Sequence, residues 1–368
     1  MSSRIELRRV DIPLVRPFKT SRAVETAREV LIVRWTADGV DGWAECAADP
    51  YPAFYAETLD GARTVIAEVL APLLAAHDGP ISGAQAHGLL ADVPGNVLAR
   101  AALESAVLDA ELRRRGMPMV DYLGGQRTRI PVGVSVGIPD SIDVLLDWVG
   151  GYLDEGYQRI KLKIAPGWDL EPVAAVRARF GDELALQVDA NQAYRMSDLT
   201  TLRRLDEFNL VLLEQPFPAR DLVSHANLAD RIATPVCLDE SINGLHDAAT
   251  ALALGACSVV NIKPARVGGY LEARAIHDLC LAQGIPVFCG GVLESGIGRA
   301  ANLALAALPN FTLPGDISAT KRYFDTDITQ RFELDDGCVV VPPGAGSGAV
   351  VDLDALEAMT VQRLTVEL

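Results

Sequence analysis

What the chain lacks narrows its function first. None of its six cysteines (Cys46, Cys237, Cys257, Cys280, Cys289, Cys338) falls in a CxxC or in a Cys/His cluster with zinc-ligand spacing. Reduced, mostly buried thiols in a cytoplasmic protein are therefore expected rather than a metal knuckle or a disulfide framework. No run of about 18 apolar residues is present to cross a membrane. The opening MSSRIELRRV alternates like a strand and has neither the apolar core nor the small-residue cleavage site of a signal peptide. Positive charge is the minority sign: 33 Lys+Arg against 49 Asp+Glu leave a formal net charge of -16. With no basic run long enough to track phosphates, nucleic acid is not an expected partner.

The 368 residues suit a large barrel plus a smaller companion domain. From about 130 onward, strand-like runs recur at near-constant intervals: IPVGVSV (130–136), RIKLKI (159–164), LALQVD (184–189), LVLLE (210–214), TPVCLD (234–239), SVVNIK (258–263), IPVFCG (285–290) and TLPG (312–315). Between them lie segments of helical periodicity such as EPVAAVRARF and GGYLEARAIHDLCLA, the alternation that builds parallel sheets. Eight such units point to a TIM-type barrel. A doubly wound dinucleotide-binding sheet loses its support, because no GxGxxG follows the first strand.

No eighth barrel helix is evident, so the expected fold class is α/β, a (β/α)7β barrel with an α+β capping domain formed by the N-terminal region and the C-terminal tail. The expected divisions are a capping domain at 1–125, with a lid loop at 18–28 (FKTSRAVETAR), the barrel at 126–320, and a return at 321–368 that packs on the capping domain.

Strands two to six each end in an ionisable residue: Lys163, Asp189, Glu214, Asp239 and Lys263, spaced by 26, 25, 25 and 24 positions. Strand ends are where TIM barrels gather catalytic groups. A single acid there reads equally well as a helix N-cap, but five in succession do not. Three carboxylates on neighbouring strands converge on one spot and suit a hard cation, Mg²⁺ first and Mn²⁺ or Co²⁺ as substitutes. Without a cation they would raise one another's pKa.

Strands two and six lie opposite in an eight-stranded barrel, so Lys163 and Lys263 face each other across the mouth. That arrangement suits proton transfer at a carbon beside a metal-bound carboxylate. A lysine base needs a pKa well below its usual value of about 10.4. Lys161 beside Lys163, and Arg266 three residues beyond Lys263, are the cations available to lower it; Arg266 reads equally as a surface residue opening the next helix. Lys161 and Lys163 themselves, two apart in RIKLKIAPGWD, read either as a solvated strand face or as two inward-pointing groups at the barrel mouth. The five histidines fall outside the strand ends and are not expected to be bases.

At KLK (161–163), VDAN (188–191), LEQP (213–216), LDES (238–241) and NIKP (261–264) the sequence resembles the enolase superfamily, in the branch containing muconate-lactonising enzymes. NIKPARVGGYLEARAIHDLC, CGGVLESGIGRAAN and LPNFTLPGDISA are similar to the N-succinylamino acid racemase / o-succinylbenzoate synthase family, also called N-acylamino acid racemases. The resemblance covers nearly the whole chain. It implies Mg²⁺ on Asp189, Glu214 and Asp239, Lys163 and Lys263 as the acid/base pair, a small carboxylate substrate and a homo-oligomer.

It also implies substrate contacts from Lys161, Ser135, Asn191, Gly291, Val292 and Leu293. Ser135 reads equally as a small residue packing in the barrel, Asn191 as a turn residue or a partner of Asp189, and Gly291 to Leu293 as a turn followed by core. Glu240 reads as a neighbour supporting Asp239 or as a helix cap. The 18–28 segment departs from the family pattern by carrying Arg22, Val24 and Glu25 without a glycine, which leaves the acyl group open. Competing readings are a dipeptide epimerase or muconate cycloisomerase on the same scaffold, a metal-free Schiff-base aldolase, and a non-catalytic barrel.

Overall fold

The computed structural model describes residues 3–368. The chain opens with a meander of three antiparallel strands, β1 (Ser3–Lys19), β2 (Val24–Ala37) and β3 (Val40–Cys46). Period-two alternation puts Ile5, Leu7, Leu31, Val33 and Trp35 on one face. The 19-residue helix Val97–Arg115 covers that face with Ala99, Leu103 and Ala106. Three arginines in its last turn and Gly116 in the left-handed conformation end that helix, as expected of the negative end of a helix dipole.

The barrel follows. Two short strands, β4 (Arg129–Pro131) and β5 (Val134–Val136), replace the single first strand expected at 130–136. Only β5 joins the parallel sheet, with β6 (Arg159–Lys163), β7 (Ala185–Asp189), β8 (Leu213–Glu214), β9 (Val236–Leu238), β10 (Val259–Ile262) and β11 (Val287–Cys289) in sequence order. The eighth strand is reduced to a bridge. Gly133 N donates to Gly315 O at 2.8 Å and Asp316 N to Cys289 O at 2.9 Å, joining the first strand to the seventh. Pro314, which has no N–H, leaves little more to pair.

Seven helices connect these units: Ile142–Asp154, Leu170–Phe180, Leu199–Arg204, Leu222–Ala229, Leu245–Ala253, Tyr270–Ala282 and Gly296–Ala306. Their N-caps are Ser141, Asp169, Asp198, Asp221, Gly244, Gly269 and Ser295. None is a strand-end acid, so capping does not explain Asp189, Glu214 or Asp239.

The tail serves both parts. β12 (Cys338–Val340) pairs antiparallel with β4, and β13 (Thr360–Glu367) adds to the outer edge of β1. The 18–28 segment is not a loop. Phe18 pairs with Glu25 and Lys19 with Val24, so only residues 20–23 lie outside the strands of a long hairpin. Thr20 holds that turn, its Oγ1 accepting from the Arg22 and Ala23 amides. All six cysteines are free, and among the described residues no helix is long and apolar enough to cross a membrane.

Candidate active site

Every residue of β6 is buried, and its alternation decides the paired lysines. Ile160 and Leu162 join the apolar cluster beneath the barrel helices. Arg159, Lys161 and Lys163 turn inward, where carboxylates receive them. The solvated-face reading is therefore wrong, since Lys161 is 2% exposed.

Lys163 Nζ donates to Asp189 Oδ2 at 2.6 Å and to Asn191 Oδ1 at 2.8 Å. Asn191 also donates its backbone N–H to Asp189 Oδ1 and its amide to Glu240 Oε1. It thus orients both the acid and the lysine, which favours the supporting role over the simple turn, although its φ is positive as well. Across the mouth, Lys263 Nζ donates to Asp239 Oδ2 at 2.8 Å. Arg266 is buried rather than superficial, and binds Asp239 Oδ1, Ile242 O and Asn261 O.

The electrostatics correct two expectations. Burial is the largest influence on Lys263 and lowers its pKa, but the charges of Asp239 and Tyr55 together more than offset it and hold the ammonium above its usual range; Arg266 pushes downward, as expected, but more weakly. Lys161 is not a bare cation set beside Lys163. It bridges Asp316, Glu214 and Asp189, and these outweigh the effect of burial and raise its pKa well above the usual value.

The three strand-end acids are all inside the barrel, at 1% exposure or less. They do not converge on one empty point as expected. Each is turned toward a lysine, and among the described residues no three His, Cys, Asp or Glu side chains stand together as ready-made ligands. Their chemistry nevertheless fits a hard divalent cation. The donors are all oxygens on adjacent strands. Glu214 is pushed up to about 8, first by burial and then by the charge of Asp189, so the two carboxylates lie close enough to feel one another.

Ser135, paired in register with Lys161, lines the cavity above these groups, as do Lys161, Lys163, Asn191, Lys263, Gly291, Val292 and Leu293. Two glycines at the end of β11 permit the close packing. A Cβ on Gly290 would lie 2.6 Å from Lys263 Cε, and one on Gly291 would lie 2.6 Å from Asp316 O. Leu293, at φ +56, packs with Phe18 and Tyr323.

Several cavity residues escaped the sequence reading. Asp316, which accepts from Arg159 and Lys161, stands one residue beyond the run taken as strand eight. Extending the strand-end rule to that strand would have found it. Glu25 and Arg28 lie in the 18–28 segment already singled out for departing from the family pattern, and Asp49 and Tyr55 join them from the capping domain; Tyr323, from the segment after the barrel, is reached by no spacing rule.

A capped barrel with lysines and carboxylates at the strand ends defines an enolase-type enzyme. Residues 4–124 match the family model "Mandelate racemase / muconate lactonizing enzyme, N-terminal domain", and residues 145–355 match "Enolase C-terminal domain-like". The chain is 54% identical to an N-succinylamino acid racemase of Amycolatopsis sp over 99% of both chains. It is 44% identical to an o-succinylbenzoate synthase of Geobacillus kaustophilus, covering 96% of this chain and 94% of that one. A solved enolase superfamily member from Listeria innocua superposes with a TM-score of 0.95 at 39% identity, covering 99% of this chain and 98% of that chain. The chain belongs to the mandelate racemase / muconate lactonizing enzyme family of the enolase superfamily, and it is an enzyme.

Proposed function

We propose that this enzyme removes the proton α to a carboxylate, racemising N-acylamino acids such as N-succinylamino acids, dehydrating the precursor of o-succinylbenzoate, or both. The observation that carries the reading is the pair Lys163 and Lys263 on strands four apart in the barrel order, with Asp189, Glu214 and Asp239 on the three strands between them. The relatives named as racemase and synthase support the same two reactions.

A divalent cation held by Asp189, Glu214 and Asp239, Mg²⁺ in the first instance, would neutralise the substrate carboxylate and the negative charge that grows on it as the proton leaves. The chain's own groups do the rest. In racemisation one lysine, as the free amine, takes the α-proton, and the opposite lysine, as the ammonium, delivers a proton to the other face. In the dehydration Lys163 takes the proton and returns it to the departing hydroxyl, while Lys263 remains a cation. Phe18, Thr20 and Tyr55 of the capping domain close the cavity over these groups, which excludes water from the reacting carbon.

The test is incubation of N-succinyl- or N-acetyl-methionine with Mg²⁺ in D₂O. Loss of optical rotation with α-deuterium incorporation supports the racemase. No exchange, with conversion of the synthase substrate, removes the racemase half.

A further inference from the structure

Strand β8 stops after Glu214. Leu213 and Glu214 pair with Val236 and Cys237 of β9, and Leu213 N and Gln215 N donate to Pro235 O and Cys237 O. Continued one step, that parallel ladder would bring Asp239 N to Gln215 O. It does not. Gln215 stands at φ +38, a conformation that residues other than glycine rarely adopt, and its carbonyl accepts Gln192 N from the β7 side at 2.8 Å instead.

The side chain takes over the missing bond. Gln215 is 0% exposed, and its Oε1 accepts Asp239 N at 2.9 Å and Ser241 N at 3.2 Å. At the other end of the amide, Nε2 donates to Ser241 Oγ at 2.7 Å and to Phe217 O at 3.0 Å, and lies 3.3 Å from His225 Nε2. Burial lowers the His225 pKa to about 4, so the ring is neutral. Its Nδ1 stands 2.8 Å from Asp221 O and carries the proton, which leaves Nε2 to accept. The amide therefore has one orientation, because a flip would turn its NH₂ against two backbone N–H groups.

The segment held this way is the corner Asp239–Glu240–Ser241. One oxygen receives the N–H groups on both sides of Glu240, so the backbone that carries Asp239 is tied to the residue that follows Glu214. The Asp239 carboxylate is held separately, by Lys263 and Arg266 from the β10 side. Gln192 provides a comparison one strand earlier. At φ +67, its Oε1 accepts Ala219 N at 3.0 Å, a bond of the same kind that holds none of the strand-end acids.

Resting on the cation site of the reading above, we propose that Gln215 is a positioning residue: its amide holds the Asp239 backbone against Glu214, so that the two carboxylates reach one divalent cation by turning their side chains alone.

The experiment titrates Mg²⁺ calorimetrically into chelator-treated wild type, Gln215→Met and Gln192→Met, with folding checked by circular dichroism and stability by denaturant unfolding. Gln215→Met is expected to bind Mg²⁺ about 10- to 100-fold more weakly, the scale for a lost hydrogen-bond partner around a metal ligand, and Gln192→Met to stay within about twofold of the wild type. A glutamine with a merely structural role would lower stability and leave the Mg²⁺ affinity of the folded protein unchanged. Where Gln215→Met does not fold, Ser241→Ala removes the closest acceptor of the amide and is expected to weaken Mg²⁺ binding roughly fivefold, the scale of one neutral hydrogen bond. Unchanged affinity in the folded variant, or an equal loss in Gln192→Met, overturns the proposal and leaves the cation site standing. A wild type that binds no Mg²⁺, or binds it equally well after Glu214→Gln, overturns the cation site and this proposal with it.

Discussion

Lys163 and Asp189 sit side by side in the register of β6 and β7, and the lysine ammonium donates to Asp189 Oδ2 at 2.6 Å. The proposed base thus rests on a carboxylate that is also a proposed cation ligand. A divalent cation held by Asp189 would compete with the ammonium for that carboxylate, and would thereby help to free Lys163 as a base. Chelator-treated enzyme is expected to lose exchange activity and to regain it with Mg²⁺, Mn²⁺ or Co²⁺. Titration calorimetry on the chelated protein should show cation binding that Glu214→Gln weakens at least tenfold; undiminished binding would place the cation elsewhere.

Asp316 holds both Arg159 and Lys161 in the barrel interior. Replacing it by Asn leaves two buried cations short of a partner, which costs roughly 3–5 kcal/mol in comparable cases. Denaturant unfolding of Asp316→Asn against the wild type measures this, and a difference under about 1 kcal/mol would show the network to be dispensable.

Gly290 has no room for a side chain. A Cβ there would meet Asn261 Oδ1 at 2.2 Å and Lys263 Cε at 2.6 Å, and Asn261 in turn donates to Glu214. Gly290→Ala is expected to displace Lys263 and to lower kcat by roughly 10²-fold, the scale for a misplacement of about 1 Å. Steady-state kinetics on the folded variant test it; an unchanged kcat would mean that the position of Lys263 is not critical.

Glu104 links the two parts of the molecule through a titratable contact. From the helix Val97–Arg115 of the cap it accepts the Tyr270 and Leu271 amides at the start of a barrel helix. Burial pushes its pKa from 4.5 up to about 7. Between those values the folded state holds a proton that the unfolded state releases, so this group makes stability fall as pH rises from 4.5 to about 7, with no further loss above. The wild type should lose on the order of 3 kcal/mol more than Glu104→Gln across that window. Equal pH slopes in denaturant unfolding would contradict the assignment.

Much of the barrel is legible in the sequence, because its strands recur at intervals of 24 to 29 residues and strands two to six end in groups that chemistry selects. Lys163, Asp189, Glu214, Asp239 and Lys263 all lie at the barrel mouth for that reason. Asp316 follows directly on the eighth strand at 312–315, but the strand-end rule draws on strands two to six alone, and strand eight survives in the fold as one bridge at Gly315. The hairpin at 18–28 read as a loop because Pro17 and the polar run after it break the alternation of two strands that pair nonetheless. The electrostatic corrections share one cause. A sequence shows that cations neighbour one another along the chain, but not that Asp239 faces Lys263 or that Asp316 reaches Lys161. The capping-side charges lie more than 100 residues from the barrel strands they face, and only the folded chain brings them over the cavity.

The central claim, a lysine on each face of the reacting carbon, is tested most directly by following α-deuterium exchange of each enantiomer of one N-acylamino acid in D₂O with Mg²⁺, using wild type, Lys163→Ala and Lys263→Ala. The account predicts that both variants fold and bind the cation, that neither racemises, and that each loses exchange of a different enantiomer by roughly 10²–10⁴-fold, the usual contribution of a general base. Undiminished exchange of both enantiomers by either variant would contradict it.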